Sequence, residues 1–339
     1  VTTTAAPAHA RTLHVHKGHG TQNDFVLLDG REPGTELDAP LVRALADRRS
    51  GLGGDGVIRL VASEALPEGR ALLADDPRAT QFMDYRNADG SVAEMCGNGV
   101  RVTALLARRL GLWDPTTGDL VLGTRAGVRV VRHEPAPGVR ADGTPEPDWY
   151  AVDMGPWRLP GGTGGGDGDR PGAGPAAAPA GLPDARSSVT VPGLPPGLPG
   201  LDVDLGNPHT VVVLPDEGAL VAADLTAVPL VEPAPPAGTN VELVLPTGEE
   251  TGADGRLVGR ARMRVHERGV GETRSCGTGA CAAALAVRVW AGAGAPDTWF
   301  VDVPGGTVRV RVLAGGHVEL AGPAVLVADA VLDRDALLA

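Results

Sequence analysis

Two matching turns constrain this chain more than any other feature. Cys96-Gly97-Asn98-Gly99 precedes the apolar segment VRVTALLARRLGL, and Cys276-Gly277-Thr278-Gly279 precedes ACAAALAVRVW. Each C-G-x-G turn opens the most apolar helix of its half, and the rest of each half is mostly strand-like. Two copies are too few for a solenoid. The pattern predicts two related halves in a pseudo-twofold arrangement with a cleft between them.

The turn also carries chemistry. The first turn of a helix leaves backbone N–H groups without partners, and the helix dipole is positive there. Glycines let an anion approach that backbone closely. A cysteine at this point sits in a positive field, which is expected to lower its thiol pKa below about 8.5. Each motif therefore offers a carboxylate cradle and a reactive thiol. Inverting an α-carbon requires a proton to leave one face and another to arrive at the opposite face. Two thiols, one as base and one as acid, suit that reaction. Cys281, the third cysteine, lies among alanines within the second helix and reads as packed core.

Strands are expected at Thr12–Asp29, VIRLV, FMDYRN, DLVLGT and GVRVVRH, with helices over Leu41–Arg49 and after Cys96. Further strands are expected at LDVDLGNPHTVVVL, NVELVL, RARMRVHER, WFVDVP, TVRVRVL and HVELAGPAVLVADAVL. Residues 1–10 read as a loose tail. Residues 155–200 are so dense in Gly, Pro and Ala that they read as a coreless surface insertion.

Composition narrows the function. A net charge of −12 argues against nucleic acid and anionic membrane partners. The N-terminal VTTTAAPAHA does not have the pattern of a signal peptide, and no apolar stretch approaches the length of a spanning helix. Three cysteines in 339 residues do not form a disulfide framework, so a reducing cytoplasm is expected. Of the 30 basic residues only Lys17 is a lysine, and it precedes the first C-G-x-G turn. An amino-acid racemase built from this chain is therefore expected to work without pyridoxal phosphate or any other cofactor.

Other candidates are weaker. Gly51-Leu52-Gly53-Gly54-Asp55-Gly56 matches GxGxxG, but a helix precedes it and a strand follows it, the reverse of a dinucleotide site. The eight histidines show no metal-binding spacing, so no metal is expected. Asn23, Asn87, Asn207 and Asn240 stand beside turn or strand-end signals, where asparagine is ordinary. Glu267-Arg268 reads by default as a solvated pair.

Taken together, KGHGTQNDF (17–25), NADGS (87–91), MCGNGVR (95–101), GNPH (206–209), TNVE (239–242) and HERGVGETRSCGTGA (266–280) resemble the successive motifs of the diaminopimelate epimerase family, in its order. The resemblance implies an α/β (α+β) fold of two similar domains. Each is a curled, mostly antiparallel sheet around a central helix, with the active site in the cleft. The division expected is residues 11–140, completed by 327–339, and residues 141–326. By resemblance Cys96 and Cys276 are the paired acid and base, and the amides of Gly97-Asn98 and Gly277-Thr278 hold the reacting carboxylate. Glu267 and His209 assist at the reacting centre. Asn23, Asn87, Asn207, Asn240 and Arg268 recognise the distal amino-acid centre. The substrate implied is diaminopimelate, a small molecule, and the assembly implied is a homodimer.

Three departures stand out. Gly56 occupies a position where some family members carry glutamine. Val102 stands where cysteine is frequent. The 155–200 segment has no clear family counterpart. Two other functions compete: a sister racemase acting on proline, hydroxyproline or histidine, and a non-enzymatic switch joining Cys96 to Cys276.

Overall fold

Strict alternation of apolar and polar residues builds the sheets. In GTVRVRV (306–312) Val308 and Val310 are buried, while Arg309 and Arg311 alternate with them and pair with Glu319. The computed structural model describes residues 12–136, 138, 143–160, 187–252 and 254–339. The expected tail at 1–10 and most of the expected insertion, 161–186, lie outside the described residues.

The chain forms two compact units. The first holds residues up to Val152 together with Pro323–Ala339, and the second is Asp153–Gly322. The expected division fell after residue 140 and after residue 326.

The first unit contains β1 (Thr12–Gly20), β2 (Asn23–Asp29), α1 (Ala39–Ala46), β3 (Gly56–Ala62), α2 (Pro67–Asp75), β4 (Gln81–Asn87), α3 (Gly97–Arg109), β5 (Leu120–Thr124) and β6 (Gly127–Glu134). β7 (Trp149–Pro156) carries the chain out of it. The second contains β8 (Ser187–Thr190), β9 (Leu198–Asp204), β10 (Pro208–Val213), α4 (Glu217–Ala222), β11 (Leu230–Glu232), β12 (Asn240–Thr251), β13 (Leu257–Glu267) and β14 (Gly271–Thr273). It continues through α5 (Gly277–Ala291), β15 (Thr298–Val303), β16 (Gly306–Val312) and β17 (His317–Pro323). The chain then returns to the first unit as β18 (Val325–Asp333) and α6 (Arg334–Leu337).

The two units repeat one mixed α/β topology. In the first, β1–β2 is antiparallel, β2–β3 parallel, β3–β4 antiparallel, β4–β5 parallel and β5–β6 antiparallel. In the second, β9–β10, β10–β12, β12–β13, β13–β15 and β15–β16 follow the same alternation. In each, one helix crosses over the second parallel pair: α3 between β4 and β5, α5 between β13 and β15. α3 packs against β1, β2, β3, β6 and β18, and α5 against β9, β10, β12, β13, β15 and β16. Each sheet thus curls around its helix. That explains why Cys281–Val287 are buried on every side of α5, with small alanines admitting strands from all directions.

The helices end where the sequence allows. α3 stops at Leu110, with Gly111 at φ 68° and its N–H donating to Arg108 O at 3.1 Å. Gly292, at φ 78°, stops α5. Short α2 and α4 were not expected. Pro67 starts α2, which buries only Gly69, so its apolar periodicity is faint. α4 buries only Leu220 and is capped by Asp216, which accepts from Ala219 N at 2.8 Å.

The expectation of a coreless segment through residue 200 needs correction. Ser187–Val189 pairs antiparallel with Leu198–Gly200, and Val189 and Val191 are fully buried in the second unit's core. The five-residue alternation SSVTV lies between Pro-rich stretches, so its period of two was lost in their composition. Arg158 also bridges to Asp204 by paired backbone bonds of 2.9 and 2.8 Å. Among the described residues, no helix is long and apolar enough to cross a membrane.

Candidate active site

In the first unit Cys96 is the N-cap of α3, in extended conformation. Its Sγ donates to Asn23 Oδ1 at 3.4 Å, and Asn98 Nδ2 donates to the same oxygen at 3.2 Å. Both amides are oriented by neighbours that can act in only one sense. Arg101, wholly buried, is a donor only, and it donates to Asn98 Oδ1. Asp55 is an acceptor only, and Asn23 Nδ2 donates to it at 2.6 Å. The Asn23 oxygen is therefore held toward the thiol. Arg101 also donates to Pro323 O at 2.8 Å and to Thr21 Oγ1 at 3.1 Å, which ties α3 to the returning chain. Asp55 is steadied by Arg48, at 2.8 Å, which also grips Asp24. Burial raises the Asp24 carboxyl, but Arg48 and Lys17 outweigh it and bring it down to about 2.

In the second unit Cys276 caps α5, its Sγ accepting from Gly279 N at 3.3 Å and lying 3.5 Å from Thr278 Oγ1. Asn207 Nδ2 donates to Thr278 Oγ1 at 3.3 Å, and its Oδ1 is 3.1 Å from His209 Nε2. The other ring nitrogen of His209, Nδ1, lies 2.7 Å from Glu242 Oε1. Glu267 accepts from the Thr273 hydroxyl and places its charge near Cys276.

The units match position by position. Phe25 pairs with Gly56 and Gly56 with Asn87; His209 pairs with Asn240, and Asn240 falls opposite Glu267 in the β12–β13 register. Asn23 and Asn207, each two residues earlier, both reach the residue two after the cysteine, Asn98 or Thr278. The paired positions thus lie at matching strand ends in the two units, and from there Asn23 and Asn207 reach the first turn of the enclosed helix. Each unit presents a sulfur and first-turn amides, groups suited to holding a carboxylate and moving a proton beside it.

Comparison with known proteins supplies the family. The family profile described as Diaminopimelate epimerase matches residues 15–156 and 202–327. A protein named diaminopimelate epimerase from Streptomyces coelicolor is 42% identical over 324 residues, covering 94% of each chain. One from Rhodococcus jostii is 43% identical over 94% of this chain and 96% of its own. The chain belongs to the diaminopimelate epimerase family. Among solved structures, a Bacillus anthracis phenazine biosynthesis protein of the PhzF family aligns with TM-score 0.56 at 16% identity, covering 95% of this chain and 99% of its own. A hydroxyproline epimerase from Agrobacterium vitis aligns with TM-score 0.54 at 15% identity, over 95% and 93%. At those identities the likeness shows the shared fold.

Against the family's motifs, the structure sorts the candidates. Cys96, Asn98 and Asn23 come together in one unit; Cys276, Thr278, Asn207, His209 and Glu267 come together in the other. Gly97 and Gly277 are the first helical residues after each cysteine. Asn240 is turned into the backbone: it donates to Pro208 O at 3.3 Å and accepts from Arg268 N at 2.9 Å. The Arg268 guanidinium donates to Ala237 O at 2.6 Å. The Asn87 side chain donates to Ser91 Oγ at 3.0 Å, within its own turn, rather than to the Cys96 cluster. Gly56 has no room for a side chain here. A Cβ there would lie 2.5 Å from Arg86 O and 2.6 Å from the Tyr85 ring.

The expectation of a lowered thiol pKa fails at Cys276. Burial pushes this thiol well above its ordinary value, and Glu267 and Glu242 push it further. The bonds from Thr278 and Gly279 oppose the rise without cancelling it. Sequence reading missed three supporting residues: Asp55, Arg101 and Glu242. Each lies inside a quoted or rejected motif, but only tertiary register reveals its partner. Among the described residues, no group of three His, Cys, Asp or Glu has an arrangement that could hold a metal ion.

Proposed function

We propose that the protein interconverts LL- and meso-2,6-diaminopimelate by moving a proton at one α-carbon between Cys96 and Cys276. One observation carries the reading: each unit of a chain of this family ends a strand–turn at a cysteine that caps its enclosed helix. The reaction needs an acid and a base on opposite faces of one carbon, and the two thiols are those groups. Cys276, kept protonated by burial, is the acid in the resting enzyme. In the reverse direction the roles exchange: the Cys276 thiolate left by that donation takes the proton back, and the Cys96 thiol supplies one to the opposite face. The reacting carboxylate sits on the amides of Gly97-Asn98 and Gly277-Thr278. There the positive helix ends stabilise charge that spreads from the α-carbon onto the carboxylate.

Glu267 and His209 assist at that centre. Asn23, Asn87, Asn207, Asn240 and Arg268 read the distal amino-acid group, Arg268 gripping its carboxylate in a forked pair. For this the Arg268 guanidinium exchanges its Ala237 carbonyl for substrate. No cofactor takes part. The product serves lysine and peptidoglycan precursor synthesis in the cytoplasm, and the enzyme acts as a homodimer. Sedimentation equilibrium giving a single-chain mass would remove the dimer.

The test is chiral separation of diaminopimelate stereoisomers after incubation with the reduced protein. The wild type is expected to equilibrate LL and meso forms, and Cys96→Ala and Cys276→Ala each to lose epimerisation. An inert wild type, or one that prefers proline, would overturn the substrate. Arg268→Ala is expected to raise KM at least tenfold, and an unchanged KM would overturn its role.

A further inference from the structure

Glu242 is a carboxylate that the mechanism above does not use. It is 0% exposed, as is the side chain of its partner His209. Its Oε1 lies 2.7 Å from His209 Nδ1, and its Oε2 has no hydrogen-bond partner among the described residues. β10 and β12 are parallel, with His209 beside Asn240 and Val211 beside Glu242. The histidine and the glutamate therefore lie on one face of the sheet, the face that α5 covers.

The first unit shows what a merely structural solution looks like at these positions. By the matching register, Phe25 stands where His209 does and Ile58 where Glu242 does. Phe25 and Ile58 are both fully buried. Ile58 Cδ1 packs against Gly99, 3.1 Å from where a Cβ would be; Glu242 Oε1 occupies the same place against Gly279, at 2.7 Å. One fold thus fills one location with an apolar pair in the first unit and an acid–imidazole pair in the second. Burying a charged pair is commonly no better for stability than an apolar pair of similar volume. The substitution needs a reason other than packing.

We propose that Glu242 is a positioning residue for His209. An ionised carboxylate only accepts, so it fixes the hydrogen on Nδ1 and leaves Nε2 as the nitrogen presented toward Asn207 and the substrate. It also accounts for the second glycine of the Cys276 turn, because any Cβ at Gly279 would strike the carboxylate. The role of His209 rests on the epimerase reading; the way it is held does not.

The test joins a spectroscopic and a kinetic measurement on the full-length reduced protein. With 15N-labelled histidine, His209 is expected to show a hydrogen on Nδ1 and a downfield, exchange-protected proton, assigned by its loss in His209→Gln. A bare Nδ1 in the wild type would overturn the proposal without any variant. Glu242→Gln is expected to lose that signal and about 100-fold in kcat, with KM within about threefold and a displaced pH profile of kcat; replacing histidine-orienting carboxylates elsewhere costs up to about 10⁴-fold. Glu242→Ile, copying the first unit, is expected to fold and to be equally inactive. If either variant keeps kcat within twofold and an unchanged pH profile, Glu242 is packing and the proposal fails. A wild type with Nδ1 protonated but no epimerase activity would sink the functional reading and leave the anchoring intact.

Discussion

The matched glycines of the two C-G-x-G turns allow one perturbation to be made twice. Glycine to alanine in a helix interior ordinarily stabilises by about 1 kcal/mol. At Gly279 the new methyl would lie 2.7 Å from Glu242 Oε1, 3.2 Å from Cys276 Cβ and 3.3 Å from Cys276 Sγ. The carboxylate is the only flexible neighbour, and moving it breaks the bond to His209. A charge-assisted hydrogen bond is worth about 1.5–3 kcal/mol, and crowding of Cys276 adds about 1 kcal/mol. Gly279→Ala is therefore expected to destabilise the second unit by about 1.5–3 kcal/mol after the helix gain is subtracted.

At Gly99 the new methyl meets Met83 Cε at 2.9 Å and Ile58 Cδ1 at 3.1 Å, the tips of two movable apolar chains. Gly99→Ala is expected to change stability by less than about 1 kcal/mol, since the helix gain offsets small adjustments. Native-state hydrogen exchange reads each helix separately, which matters because two units need not unfold as one. Equal protection loss in α3 and α5, or a stabilised α5 in Gly279→Ala, would refute the reasoning.

Three further outcomes follow from the same contacts. Gly56→Ala is expected to lower stability by about 3 kcal/mol or more, because its Cβ would meet the fixed carbonyl of Arg86 at 2.5 Å; a Tm within a degree of wild type would contradict this. The Cys276 thiol, raised in the folded protein, contributes stability that is complete below its unfolded pKa and is lost as pH rises toward the folded value. Alkaline unfolding is therefore expected to begin at higher pH in Cys276→Ser, and iodoacetamide to react with Cys276 more slowly than with a free thiol at pH 8. Asp24, lowered from 3.8 to about 2, contributes at most about 2 kcal/mol above pH 4, lost as pH falls through about 2. Asp24→Asn is expected to flatten that acid limb in urea titrations, and an unchanged limb would remove the pairing of Asp24 with Arg48 and Lys17 as its cause.

Much of this was legible from local pattern. Helix N-termini at Cys96 and Cys276 followed from two glycines before an apolar run, and the strands followed from alternation such as TVRVRV. The repeat seen in the two turns extends through every strand pairing around α3 and α5. What was not legible depends on register between distant strands. Glu242 sits in NVELVL, where a polar residue among apolar neighbours reads as facing solvent; only the pairing of β10 with β12 turns it inward under His209. The helix-dipole argument at Cys276 used the adjacent backbone alone, while the burial and the carboxylates that reverse it come from other strands. Nothing local marks Arg101 for burial; it is buried because Pro323, Thr21 and Asn98 surround its guanidinium.

Proton exchange at the α-carbon tests the central claim most directly. The reduced wild type, given LL-diaminopimelate in deuterium oxide, should produce meso product carrying one solvent deuterium at the inverted centre, while substrate recovered early should carry little. Equal early labelling of both isomers would point to a single base serving both faces, and inversion without any deuterium would contradict thiol-mediated proton transfer altogether.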